Sequence, residues 1–181
     1  MIARLSLRIA NFIRQNNEQA SSLDVLMFSL TIVLNTLVII IVVLGIGALT
    51  GRFSEAAVIF FGFVFLRFFS GGFHLPSSGL CNAFSIITFS ILMHLPMVYW
   101  NGGLIVNLIS LLLALIYAPT KDIMALNRLG PKYTVHFKIA TVLIILSNFW
   151  IQSPALALAF IAQTLSLLPI AYRGAALFER R

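Results

Sequence analysis

One uninterrupted apolar run constrains this chain more than any other feature. The segment from Val25 to Thr50 carries no charged residue, and a helix of roughly 20 apolar residues is long enough to cross a bilayer. The chain of 181 residues is 60% hydrophobic and only 9% charged. A soluble domain of this size cannot bury so much apolar surface in one core. The sequence therefore predicts an integral membrane protein.

Further apolar segments follow this first run along the chain. They are Ala56–Phe69, Cys81–Trp100, Leu104–Ala118, Ile139–Ile151 and Ala155–Tyr172. Together they predict an all-α, polytopic bundle of about six membrane helices within a single domain, residues 1–181. The first run lacks a small-residue cleavage site at its end, so we expect a retained anchor and not a signal peptide.

The N-terminal residues have the pattern of an amphipathic helix. Apolar residues recur there at helical spacing, opposite a polar and basic face: Ile2, Leu5, Ile9, Phe12 and Ile13 against Arg4, Arg8, Asn11 and Gln15. We expect residues 1–20 to form an interfacial helix on anionic lipid, followed by the transmembrane bundle in residues 21–181. A helix packed as a cap on the rest of the protein fits the same pattern.

The positions of the basic residues predict the topology. With six crossings, both termini and the even-numbered connections share one side, and that side holds every one of the 12 lysines and arginines except Arg52. Basic residues concentrate on the cytoplasmic side of membrane proteins. We therefore expect a multi-pass protein of the bacterial cell membrane with cytoplasmic termini. The net charge of +7 needs no nucleic-acid partner to explain it.

One segment concentrates the polar residues of the first half of the chain. It reads Arg67-Phe-Phe-Ser-Gly-Gly-Phe-His74-Leu-Pro-Ser-Ser-Gly-Leu-Cys81. Its glycines, proline and serines interrupt the helical pattern between the second and third membrane helices. Non-helical backbone at membrane depth is tolerated only where protein or water satisfies it. The segment is thus predicted to be a re-entrant or cavity-lining loop.

His74 and Cys81 are the two groups of this loop that can perform covalent chemistry together. A thiolate is the nucleophile, and histidine is its usual base. An N-cap at Ser77 or Ser78 would place Cys81 in the first turn of the next helix, where the helix dipole favours a thiolate. The alternatives are a cysteine that only packs and a solvated histidine, with His136 as a reserve base.

Four further residues are candidates for shaping the site: Arg67, Ser70, Gly71 and Gly72. An ionisable residue at membrane depth is a functional candidate, although Arg67 can also snorkel to the headgroups. Free N–H groups in the Ser70-Gly71-Gly72 turn can stabilise an oxyanion. With one cysteine in the chain, an internal disulfide and a structural zinc site of several thiolates are excluded, and neither a metal nor a cofactor is predicted.

These residues resemble the signature of a known family. Arg67, Gly72, His74 and Cys81, at these intervals between the second and third helices, are similar to the signature of the accessory gene regulator B (AgrB) peptidases. The stretch Tyr117-Ala-Pro119-Thr-Lys121 resembles that family's Ala-Pro…Thr-Lys stretch.

The resemblance implies a quorum-sensing role. Such enzymes cut the C-terminal part from a small AgrD-like propeptide at the inner membrane face and keep the rest as a thioester on the cysteine. Ring closure to a thiolactone or lactone then gives an autoinducing peptide. The resemblance implies Cys81 as nucleophile, His74 as general base and then acid, Arg67 and Gly72 as site-shaping residues, and a homodimer.

The resemblance also implies that a basic loop meets the acidic tail of the propeptide. The candidates in this chain are Lys121, Arg128 and Lys132, which are spaced out where the family often has a dense basic run. Two other functions remain open. One is a membrane cysteine protease that hydrolyses without cyclising. The other is a peptide exporter or scaffold, which would have paired interrupted helices in two halves, whereas the sequence indicates one interruption.

Overall fold

The computed structural model describes residues 2–17, 19–73, 75, 77–121 and 132–179, with the backbone alone at 132 and 176–179. This part of the chain forms eight α-helices and no β-strand, which confirms the all-α prediction there. The helices are α1 (Ile2–Asn16), α2 (Leu23–Leu49), α3 (Phe53–Ser70), α4 (Ser78–His94), α5 (Leu104–Tyr117), α6 (Lys132–Ile151), α7 (Pro154–Leu165) and α8 (Pro169–Glu179).

The first of two compact units covers Met1–Val42 and contains α1 and most of α2. Within it, the Thr31 hydroxyl donates a hydrogen bond of 3.1 Å to the Ser6 hydroxyl. Ser6 and Ala10 are fully buried, whereas Phe12 is 67% exposed. One face of α1 therefore packs within this unit while apolar side chains remain on another. Its location at a membrane surface stays a prediction.

Four helical segments are long and apolar enough to cross a membrane. They are Leu23–Leu49, Phe53–Ser70, Tyr99–Tyr117 and Tyr133–Ile151, and the bent pair Pro154–Leu165 and Pro169–Ala175 would be a fifth span. The chain is a membrane protein with four to five such spans in its described part. The sixth predicted segment, Cys81–Trp100, corresponds to α4, a shorter apolar helix of 17 residues.

Two predicted segments are interrupted, each beside a proline. The segment Cys81–Trp100 does not form one helix, because α4 ends at His94 and a π-helical turn, Tyr99–Gly103, leads into α5. The segment Ala155–Tyr172 divides into α7 and α8, whose axes differ by 68°. The residue before a proline disfavours helical backbone, which accounts for the breaks before Pro96 and Pro169.

One helix is longer than the apolar segment that predicts it. The predicted segment Ile139–Ile151 is short for a crossing, but α6 begins at Lys132 and has 20 residues. At about 1.5 Å per residue a helix of this length spans roughly 30 Å, which matches the hydrocarbon thickness. The polar flank of the segment is therefore part of the helix.

The second compact unit, Val43–Arg181, has a core built around α3 and α7. Helix α3 contacts α4, α6 and α7, and α5 contacts α6 and α7. Phe60 of α3 and Phe160 of α7 are almost completely buried. At Gly62 an added Cβ would lie 2.8 Å from the Leu156 side chain, so α3 and α7 approach each other closely. Their packing brings the C-terminal ends of both helices together.

Candidate active site

Helix α3 ends in two consecutive glycines with positive φ. Gly71 has φ +77° and Gly72 has φ +140°, conformations that glycine adopts without a steric penalty from Cβ. The Gly71 N–H donates to the Arg67 carbonyl at 2.9 Å and caps the helix. The predicted interruption after α3 is therefore confirmed, and its physical cause is this pair of glycines.

Arg67 holds the backbone of the segment that follows α3. Its Nη2 atom donates to the carbonyl oxygens of Phe73 at 2.6 Å and of Gly72 at 3.4 Å, and its guanidinium carbon lies 5.8 Å from the centre of the Phe63 ring. The side chain is partly buried. Arg67 therefore binds loop carbonyls.

A second set of contacts to the same segment comes from α7. The Gln163 amide donates to the Ser70 hydroxyl at 2.9 Å and to the Gly71 carbonyl, while its oxygen accepts from Arg67 Nη1 at 3.3 Å. The Ser166 carbonyl accepts from the Phe73 N–H at 3.3 Å. Sequence reasoning missed Gln163 and Ser166. The available signal was the polar group Gln163, Thr164 and Ser166 within an otherwise apolar predicted segment.

The stretch after α5 also reaches this segment. The Thr120 N–H donates to the Ser70 carbonyl at 2.9 Å, and Ser70 is fully buried. The end of α3 is thus joined to the Tyr117–Lys121 stretch as well as to α7. The loop after α3 and the Tyr117–Lys121 stretch, which are far apart in the sequence, therefore lie together in the fold.

Cys81 lies in the first turn of α4, as the sequence predicts. Ser77 is the N-cap, and its hydroxyl accepts from the Leu80 N–H at 3.1 Å, while the Cys81 N–H donates to the Ser77 carbonyl at 3.0 Å. The thiol is half-buried. One turn further along α4, the ring of Phe84 lies 6.1 Å from the ring of Phe73 in the segment that follows α3.

The backbone donors of the predicted oxyanion turn are not equally available. Ser70 belongs to the last turn of α3, and the Gly71 N–H is used in the helix cap. The Phe73 N–H donates to Ser166. In the described part of the chain we find no hydrogen bond from the Gly72 N–H, which makes Gly72 the candidate donor of this turn.

Several predicted site residues fall outside the described part of the chain. His74 and Arg128 lie outside it, as does the side chain of Lys132. Lys121 is exposed at the end of the Tyr117–Lys121 stretch. The reserve base His136 is exposed on α6, with its ring centre 6.1 Å from that of Tyr133. In the described residues we find no cluster of His, Cys, Asp and Glu suited to a metal ion.

Comparison with known proteins identifies the family of the chain. The family model described as accessory gene regulator B matches residues 6–170, which include Arg67, Gly72, His74 and Cys81. The chain belongs to the accessory gene regulator B family.

A curated relative carries the same family name. An AgrB-like protein of Halalkalibacterium halodurans is 31% identical over 120 residues, which are 66% of this chain and 61% of the relative. The chain thus matches less than two thirds of that relative's length. No solved structure matches the chain.

Proposed function

We propose that this chain is a membrane cysteine endopeptidase that cleaves the C-terminal part from an AgrD-like propeptide and promotes closure of the remainder to a thiolactone or lactone. The observation that carries the proposal is the position of Cys81. It lies in the first turn of α4. One turn further along this helix, the ring of Phe84 lies 6.1 Å from the ring of Phe73, in the segment whose carbonyls Arg67 and Gln163 hold. Family membership supplies the substrate class.

In the proposed reaction, His74 removes the proton from the Cys81 thiol, and the thiolate attacks the scissile carbonyl carbon. The oxyanion that forms accepts a hydrogen bond from the Gly72 N–H. Protonated His74 then gives its proton to the leaving amine, and the C-terminal fragment departs. The N-terminal part of the propeptide remains as a thioester on Cys81.

Ring closure follows as an acyl transfer within the bound propeptide. A thiol or hydroxyl of the propeptide loses its proton to His74 and attacks the thioester carbonyl. The Cys81–acyl bond breaks, and Cys81 leaves as a thiolate that is reprotonated by His74. Exclusion of water from a membrane-embedded site favours this transfer over hydrolysis. The cyclic product is lighter by one water than the hydrolysed one.

The proposal includes a topology and a mode of substrate binding. Six crossings with both termini in the cytoplasm place the site at the inner membrane face. Lys121, Arg128 and Lys132 would contact the acidic tail of the propeptide. The enzyme would act as a homodimer in the lipid of the bacterial cell membrane, without metal or cofactor.

The test is processing of a synthetic propeptide by the purified protein in lipid nanodiscs. We expect wild type to release the C-terminal fragment and to carry a mass shift on Cys81, and we expect neither from Cys81→Ala or His74→Ala. The mass of the N-terminal product separates cyclisation from simple hydrolysis. Equal processing by all three proteins would show that this pair does not act as proposed.

One observation supports the alternative of a peptide exporter. The sequence indicates a single interruption, after α3, but the break between α7 and α8 is a second. The two breaks are joined by the hydrogen bond from Phe73 to Ser166. Interrupted membrane helices that meet are a feature of transporter binding sites. Intact peptide secretion by Cys81→Ala would favour the exporter over the peptidase.

A further inference from the structure

Gln163 is a fully buried amide in the apolar helix α7. A buried amide without hydrogen bonds costs free energy, and in membrane helices polar residues are rare and usually face the protein interior. The contacts of the Gln163 side chain go to Arg67, Ser70, Gly71 and Ser166. Three of these four residues belong to the end of α3 and the segment that follows it.

The two ends of the Gln163 amide have different partners. The amide nitrogen donates to the Ser70 hydroxyl at 2.9 Å and to the Gly71 carbonyl. The amide oxygen accepts from Arg67 Nη1 at 3.3 Å. The Ser166 hydroxyl also lies 3.3 Å from this oxygen, but its single hydrogen points to the Gln163 backbone carbonyl at 2.6 Å. Since donors and acceptors are both matched, this network fixes the orientation of the amide.

The network continues through Arg67 to the next two residues of the loop. While Nη1 is held by Gln163, Nη2 of the same guanidinium donates to the carbonyls of Gly72 and Phe73. One side chain of α7 thus fixes Gly71 directly and the next two carbonyls through Arg67. His74 follows Phe73 directly in the sequence.

We propose that Gln163 is a positioning residue of the active site. It holds the segment Ser70–Phe73, and with it the backbone that leads into His74, in register with Cys81. Irregular backbone at membrane depth needs protein partners for its polar groups, and Gln163 supplies them from another helix. This inference rests on the proposed function, because it assigns Gln163 to the Cys81–His74 reaction.

The packing of α3 on α7 does not depend on Gln163. Leu66, Ala159 and Phe160 are buried at the core of the unit, and Gly62 allows α3 to approach Leu156 closely. Removal of the amide should therefore leave the helices together while it releases the loop. A variant that loses activity but keeps its folded stability would therefore indicate a positioning role and not a role in folding.

The decisive variant is Gln163→Met, which keeps the length of the side chain and removes its hydrogen bonds. We expect kcat for propeptide cleavage in nanodiscs to fall about tenfold or more, since about 1.4 kcal/mol of lost interaction corresponds to a factor of ten. KM should change by less than about twofold, because Gln163 contacts the loop and not the substrate.

The matched control is Thr164→Val. Thr164 is the next residue of α7 and is equally buried, but its hydroxyl donates to the carbonyls of Phe160 and Ile161 in its own helix. We expect wild-type kcat and KM from this variant. A loss of kcat in Thr164→Val equal to that in Gln163→Met would overturn the inference, since any buried polar deletion would then suffice.

The conservative variant Gln163→Glu tests the two ends of the amide separately. It keeps an acceptor for Arg67 but replaces the amide N–H with a carboxylate oxygen that faces the Gly71 carbonyl oxygen. Since two acceptors repel each other, we expect kcat to fall about tenfold or more, as in Gln163→Met. If Gln163→Met does not fold, Gln163→Glu decides alone.

Wild-type kcat in Gln163→Glu and Gln163→Met would overturn the inference and leave the peptidase intact. Failure of wild type itself to cleave the propeptide would instead remove the proposed function, and the inference with it.

Discussion

The backbone at Gly72 combines a positive φ of +140° with very close side-chain neighbours. A Cβ there would lie 2.8 Å from Arg67 Nη1 and 3.3 Å from Gln163 Nε2. Glycine at this position therefore meets two requirements at once. It supplies a conformation that other residues adopt at a cost, and it leaves room for the guanidinium and amide that hold the loop.

We expect Gly72→Ala to retain the fold but to lose at least about tenfold in propeptide cleavage. The positive φ alone costs on the order of 1–3 kcal/mol for a residue with a Cβ, and the new methyl group would displace Arg67. Nanodisc cleavage assays and thermal unfolding measure the two effects.

The control for this prediction is Gly45→Ala, where an added Cβ has no neighbour within 4 Å. Because Gly45 lies inside α2, alanine there should be neutral or slightly stabilising. Full activity of Gly72→Ala would mean that the loop tolerates displacement of Arg67.

At the scale of helices, a second polar network lies at the N-terminal end of α7, whereas Gln163 lies near the C-terminal end. Asn148 of α6 donates to the Asn107 side chain at 3.2 Å and to the Ser153 carbonyl at 3.0 Å, and it accepts from the Ser153 N–H at 3.0 Å. Asn107 and Asn148 are fully buried. The network joins α5, α6 and the turn before α7, and so it fixes the start of the helix that carries Gln163.

We expect Asn148→Leu to lower the free energy of unfolding by about 1–2 kcal/mol, because it leaves the buried Asn107 oxygen and the Ser153 backbone without these partners. Ser147→Ala is the matched control, since Ser147 is exposed and its hydroxyl donates to the Ile144 carbonyl within its own helix. Denaturant titration of both variants in detergent measures the difference. Equal stability of the two would argue against a structural role for the network.

At the scale of the whole molecule, charge and apolar length together predict the orientation in the membrane. In the six-crossing topology, Asn101 lies outside and Lys121 inside. Both residues are exposed in the structure, and the chain has one cysteine. Replacement of Cys81 by alanine therefore gives a background without cysteine for accessibility measurements.

In that background we expect Asn101→Cys to react with a membrane-impermeant maleimide added to intact cells, and Lys121→Cys to react only after permeabilisation. The physical reason is the retention of basic segments on the cytoplasmic side. Reaction of both positions in intact cells would contradict six crossings.

Local sequence features determined much of this protein. The charge-free run of α2 and the other apolar segments predicted a helical membrane protein, and the serines before Cys81 predicted the N-cap that the structure has at Ser77. These features are local because helix length, capping and termination depend on residues within a few positions of each other. The breaks before Pro96 and Pro169 were also locally encoded, although hydropathy alone passed over them.

Only the tertiary structure decided which polar groups meet. Arg67 and Gln163 are 96 residues apart in the sequence, and Ser70 and Gln163 are 93 apart, so no periodicity links them. A buried amide or guanidinium must find hydrogen bonds, but the sequence does not say where. That choice follows from the close packing of α3 on α7, which brings the two helix ends together and places Gln163 beside the loop.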